Sequence, residues 1–547
     1  APRARRARAR AADQSLDDLV RVVRDGELPA NALLAPLPPP VEIPAESRRP
    51  TDVVGVLADD RWGLGPGAWG AADGRFLSGL MRRAEAPIAS RWLSVLLRNA
   101  LLTRTPAPAN VQPVDWVAER AWLLLRMGEA DAARMLVQAV DVDRYTPKMF
   151  EVAGQVGLAT ADPQALCPLW QPARATSDDP IWTLAEAMCA GLSGEQGRAA
   201  AIVQTARRRG RMEPIDLLLA EKVASAGEGG RRAINIQWDG VDELTAWRFG
   251  LASATALAVP DALFADAAPR VRAWAARAPL VPLERRLDHT LDAAALGVAS
   301  SSALVDVWSL LGADEESFGD PDSEAGRLRR AFGARGVLAR LEAMRALWRA
   351  SEDPDRRHAR HLLTARPASL LNPQPALIED SADLVEAMLA GGLDAQAARW
   401  LPLVNGATGE AADRAYAMLV VGAPGVESVD AGRIDRLAEA GEDGRRRAGL
   451  LVAALAGLGR LDAEAATGYS QELGLRLGLE NAWNRRLANA AATEDAGTVA
   501  LVAAVGLQAR RWADVPPRHL FHVVRALRRV GLEYQARMIA AEAIARA

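Results

Sequence analysis

The chain has 547 residues, half of them apolar and a quarter charged, and a formal net charge of −3. That length exceeds the roughly 250–300 residues at which one hydrophobic core stops growing. The near-neutral balance excludes a whole-molecule field that would draw in nucleic acid or an acidic membrane. Ala and Leu dominate, with only 7 Phe and 4 Tyr, so the composition favours helix over strand and excludes a disordered chain.

Residues 1–14 form an arginine-rich tail (Arg3, Arg5, Arg6, Arg8, Arg10) that reads as a solvated, disordered end. The sharper alternative is an arm onto nucleic acid or anionic lipid. Residues 15–50 hold a short amphipathic helix from Ser15, then an extended strap whose Pro36, Pro38, Pro39 and Pro40 forbid helix. The loop from Gly63 to Gly70 makes a further break. Trp62, Trp69, Trp92, Trp116 and Trp122 cluster nearby and read as core. From about residue 75 the pattern is helix, short breaker, helix, almost to the end. No run approaches the roughly 20 apolar residues of a membrane-spanning helix. The division expected is a stack of helical repeats over 51–310, an acidic linker over 311–327 (including Asp320, Asp322 and Glu324), and a second stack over 328–547.

One local design recurs within the helical region. Around Gly128 a helix ends, the glycine turns the chain, Glu129 and Asp131 open the next helix, and Ala133 is small enough for close packing. The same arrangement returns at Gly392 with Ala397 and at Gly531 with Ala536, and in looser form near Gly194 and Gly459. The stretch from Gly128 to Ala133 resembles the turn and second helix of a tetratricopeptide repeat. The long alanine-rich array is also similar in style to the superhelical domain of soluble lytic transglycosylases. These resemblances imply an all-α fold, a right-handed α-solenoid of antiparallel helix pairs with a concave binding face.

Few residues carry a chemical signature. Neither lysine, Lys148 or Lys222, follows a glycine-rich turn as a phosphate-binding loop requires. His358 and His361, like His519 and His522, stand three apart and would share a helix face, the geometry that a metal uses. Their arginine neighbours argue against an ion, with Asp355 the one carboxylate at ligand spacing, so solvated histidines are predicted; His289 stands alone. No catalytic, cofactor or metal residue is predicted. The two cysteines, Cys167 and Cys189, fall on consecutive elements and are candidates for a disulfide; the alternative is two buried thiols.

The expected function is therefore a non-enzymatic scaffold that holds protein partners along its concave face, alone or in a homo- or hetero-oligomer, in a bacterial envelope assembly such as a motor, pilus or secretion machine. A bonded cysteine pair, and a first residue that fits removal of a leader, point to the periplasm; free thiols would point to the cytoplasm. An enzyme or accessory acting on cell-wall glycan is the alternative, and nucleic-acid or lipid binding through the arginine tail the weaker third.

Overall fold

Proline and side-chain oxygens decide where many helices begin. The helices Pro113–Arg126, Pro147–Ala159, Pro180–Leu192 and Pro354–Leu363 open on proline, where a missing N–H leaves no bond unmade. Gln112, Thr146, Asp179 and Asp353 accept backbone N–H groups of those first turns. The computed structural model describes Pro44 and residues 47–58, 62–84, 87–227, 234–313 and 320–547. The arginine tail, the helix expected at Ser15 and the proline cluster lie outside the described residues, as does the middle of the acidic segment. The chain divides into two units, residues 1–48 and Arg49–Ala547.

The second unit is all-α. Among the described residues the regular strand is one antiparallel pair, Val53–Val54 with Thr105–Pro106. Consecutive helices pack as pairs: Pro113–Arg126 with Ala130–Val137, Pro180–Leu192 with Gln196–Arg209, and Pro517–Arg529 with Glu533–Ala545. The recurring glycines make the turns between them. Gly128, Gly194, Gly392, Gly459 and Gly531 all have positive φ, from 68° to 91°. Each donates its N–H to the carbonyl three residues back, and the next residue donates to the carbonyl five back, as Glu129 does to Leu124 and Leu532 to Leu527. This is the Schellman arrangement, which satisfies the carbonyls that a helix end leaves orphaned. Ala133, Ala397 and Ala536 are fully buried.

The helix Arg91–Leu102, here called the hub helix, is largely buried and lies where distant parts of the chain meet. Arg98 donates to Glu129 at 2.9 Å and to the Gly297 carbonyl at 3.3 Å. Arg91 donates to the carbonyls of Ala294 and Ala390, at the ends of the helices Leu283–Ala295 and Ser381–Ala390. At Gly392 a Cβ would stand 2.9 Å from the Trp92 ring, so only glycine turns the chain there. The hub also packs against the helices Ala496–Gly506 and Glu533–Ala545 near the other end of the chain. Two backbone bonds reinforce that contact, Ala89 N–H to Leu507 and Gly497 N–H to Ala68.

One expectation is corrected here. Trp69 and Trp116 meet edge to face at 5.2 Å in the core, and Trp92 and Trp122 are half-buried, but Trp62 is 77% exposed, since it precedes the first described helix and has no element to pack on. Glu129, at the start of its helix, is buried, and burial pushes its carboxyl up to about 7 although Arg98 is bonded to it.

Candidate functional site

A wide groove lies between the helices Gly441–Leu458, Ala463–Glu472 and Pro517–Arg529 and the turn Arg476–Glu480. It holds about 800 Å³ and adjoins a second hollow of about 230 Å³ that shares Glu480, His522 and Arg525 with it. Gly457 lets the first and third of these helices close up, since a Cβ there would stand 3.0 Å from the Phe521 carbonyl. Small and apolar side chains line the interior: Ala456, Leu461, Ala463, Ala466 and Phe521.

The charge of the lining is mostly of one sign. Arg476, Arg485, Arg525, Arg528 and Arg529 are exposed around the two hollows, and none has a carboxylate partner among the described residues. Glu480 is the single acidic residue lining them. Arg525 lies over the Phe521 ring at 5.9 Å. Nε2 of His522 accepts from the Asn484 amide at 3.0 Å, and burial together with Arg525 and His519 holds its pKa below the usual histidine value. His519, bonded to the Gly506 carbonyl and tilted over Trp483, is lowered likewise by burial. The positive charge of the groove thus belongs to its arginines.

By contrast, the arginines of the hollow of about 620 Å³ around His289 are paired, Arg272 with Asp292 and Arg356 with Asp288 and Asp292, and carboxylates outnumber them in its lining. A smaller hollow of about 360 Å³ is walled by Trp122 and Trp182 beside Lys148, Glu151 and Asp179.

The histidines of the RRHARH segment are a second site, and here the expectation of solvated side chains is overturned. His358 and His361 are 3% and 2% exposed. Their helix, Pro354–Leu363, packs against Leu283–Ala295 and against Ser381–Ala390, so it has no wet face left for them. The arginines expected to crowd them point elsewhere, Arg356 to Asp292 and Arg360 to Glu324. Asp355 pairs with Arg546. The carboxylates that do meet the histidines are Asp383 and Glu386, three apart on the helix Ser381–Ala390. Nε2 of His361 lies 3.1 Å from Asp383 and its Nδ1 lies 3.4 Å from Glu386, while Nδ1 of His358 lies 3.0 Å from the same Glu386 oxygen. The Trp348 ring stacks on His361 at 5.2 Å. Burial opposes charge on His361, but Glu386 and Asp383 outweigh it and raise its pKa; Glu386 is held down to about 2 by both histidines despite its burial. Sequence reasoning missed this pair because its halves are more than 20 residues apart. The usable signal was Asp-x-x-Glu, which puts both carboxylates on one helix face.

Cys167 and Cys189 are joined as a disulfide, with Cα atoms 5.5 Å apart. Comparison with protein-family models, with curated proteins and with solved structures found no match.

Proposed function

We propose that this chain is a non-enzymatic interaction scaffold, an α-solenoid-like array of helix pairs that takes an acidic segment of a protein partner into the arginine-rimmed groove. The observation that carries the reading is the set of five exposed arginines without carboxylate partners among the described residues, around a groove lined by small apolar side chains and the hollow that adjoins it. Some arginines elsewhere are paired, as Arg345 is with Asp380 or Arg433 with Asp413. A partner whose acidic residues flank an apolar stripe would satisfy both parts of the groove, and complementary charge would speed and orient its docking. The disulfide supports a periplasmic setting, since such bonds persist in oxidising compartments, and an envelope assembly is the context in which we place the scaffold.

A labelled amphipathic peptide rich in Asp and Glu, titrated with the full chain, tests this. Binding should weaken as salt rises, and Arg525→Glu with Arg528→Glu should weaken it at least about tenfold, the equivalent of 1.4 kcal/mol. Single-stranded DNA bound as tightly through the same arginines would replace the protein partner by nucleic acid. The tryptophan-walled hollow with Glu151 and Asp179 favours the glycan alternative; peptidoglycan fragments that bind there, while the acidic peptide does not bind at all, would put that reading first.

A further inference from the structure

We propose that His361, Asp383 and Glu386 bind one divalent transition-metal ion of the zinc class, which pins the helix Pro354–Leu363 to the helix Ser381–Ala390. One ligand atom from each residue lies within 4.8 Å of the others. Ligands at about 2.0–2.2 Å from a zinc ion stand roughly 3–4 Å apart, and Nε2 of His361 stands 3.1 Å from Asp383 while its Nδ1 stands 3.4 Å from Glu386; one ion takes one of these ring nitrogens, so one carboxylate side chain turns toward it. The donors need no rearrangement of the backbone, because each carboxylate already faces the ring from the neighbouring helix.

An independent observation points the same way. Nδ1 of His361 and Nε2 of His358 are buried and make no hydrogen bond. Buried polar atoms without partners are rare in folded proteins, and of these two Nδ1 of His361 faces the cluster, toward Glu386, whereas Nε2 of His358 lies on the ring edge away from its Glu386 contact. Charge agrees as well: two carboxylates and a neutral imidazole carry −2, which a divalent cation cancels. Arg414 also acts on Glu386, but the arginines beside the histidines are committed to Asp292 and Glu324. A mixed nitrogen and oxygen donor set selects zinc, manganese or ferrous iron over calcium or magnesium.

The surroundings complete the arrangement. His358 holds the Glu386 carboxylate from behind, and Trp348 fixes the plane of the His361 ring, the kind of outer support that orients metal ligands. The Asp383 side chain is 42% exposed, so the cluster opens to solvent on that side, which gives the ion an entry path and a position for water.

The test uses the full chain after chelator treatment, titrated with zinc(II) by calorimetry and with cobalt(II) by visible absorption. One equivalent should bind, cobalt should give the absorption of a four- or five-coordinate nitrogen–oxygen site, and zinc should raise the melting temperature. Asp383→Asn, at a partly exposed position where folding can be checked by circular dichroism, should weaken binding at least about tenfold. His361→Gln should abolish it, and if that variant does not fold, Asp383→Asn decides alone. His519→Gln with His522→Gln should leave binding unchanged. Absence of stoichiometric binding by the unaltered chain, or unaltered affinity in Asp383→Asn, overturns the proposal.

Discussion

Arg120 has no exposed surface, and among the described residues no carboxylate pairs with it. Its guanidinium donates instead to three backbone carbonyls, of Leu101 at 2.7 Å, Val54 at 2.9 Å and Thr103 at 2.7 Å. It thereby ties the end of the hub helix to the small strand pair, at a cost: burial pushes its pKa down to about 9. Removing it would strand those carbonyls, each worth about 1–3 kcal/mol when buried without a donor. Arg120→Met should therefore lower stability by about 3 kcal/mol or more in urea unfolding. Arg120→Lys should rescue little, because a compact ammonium cannot reach three carbonyls with a planar fork. A loss below about 1 kcal/mol in the Met variant would show that the carbonyls find other donors. Nothing in WVAERAWLLLR marks this arginine, since its period places it beside Glu119 as an ordinary helical charge. The same blindness applies to His358 and His361. Side chains that answer to groups remote in sequence carry no local signature.

At the scale of elements the sequence is more legible, and for a physical reason. A Schellman turn needs a residue in the left-handed region, and glycine occupies it at no steric cost, so the turns at Gly128, Gly392 and Gly531 can be read directly. The same bond to the carbonyl five back also follows a left-handed Ala161, Ala256 or Glu494. Those turns stay hidden, because packing around them offsets the strain and composition does not show it. The disulfide sits at this scale too, joining the short turn before Trp170 to the helix Pro180–Leu192 across a separation of 22 residues. Closing a loop of that size restricts the unfolded chain, and the bond should stabilise by about 3 kcal/mol. Reduction should lower the melting temperature, and the unreduced chain should weigh two hydrogens less than the reduced one. Two thiols titratable in the native, unreduced protein, with no thermal effect of reductant, would remove the chemical support for the periplasm and move the protein to the cytoplasm.

The whole molecule turns on a contact that neither composition nor periodicity announces: the last helix caps the hub helix. Glu542 accepts from the Ser90 hydroxyl at 2.6 Å and from the backbone N–H groups of Arg91 and Trp92 at 2.8 and 3.2 Å. Those N–H groups belong to the first turn of the hub, which has no intrahelical acceptor for them and attracts negative charge. Arg546 holds the same carboxylate at 2.6 Å. Burial would raise the Glu542 pKa, but Arg546, His358 and the donors from Ser90 and Arg91 keep it below its ordinary value. A carboxyl whose folded pKa is depressed contributes stability above its unfolded value, and that contribution is lost as pH falls through the folded one. The contact should hold at neutral pH and fail in acid. An open repeat array, whose units touch only their neighbours, can unfold in steps. A unit whose last helix closes onto the hub helix, with a buried carboxylate at the contact, should melt as a single transition at pH 7, with calorimetric and van't Hoff enthalpies equal. Glu542→Ala leaves the Ser90 hydroxyl and two helix N–H groups buried without their acceptor, while Arg546 keeps Asp355. It should cost about 3–5 kcal/mol and separate the melting of the first helices from that of the rest. It should also remove part of the acid sensitivity seen in the parent. If the variant melts in one transition at the parent temperature, the contact of the last helix with the hub carries no such load, and stability is spread along the helix pairs instead.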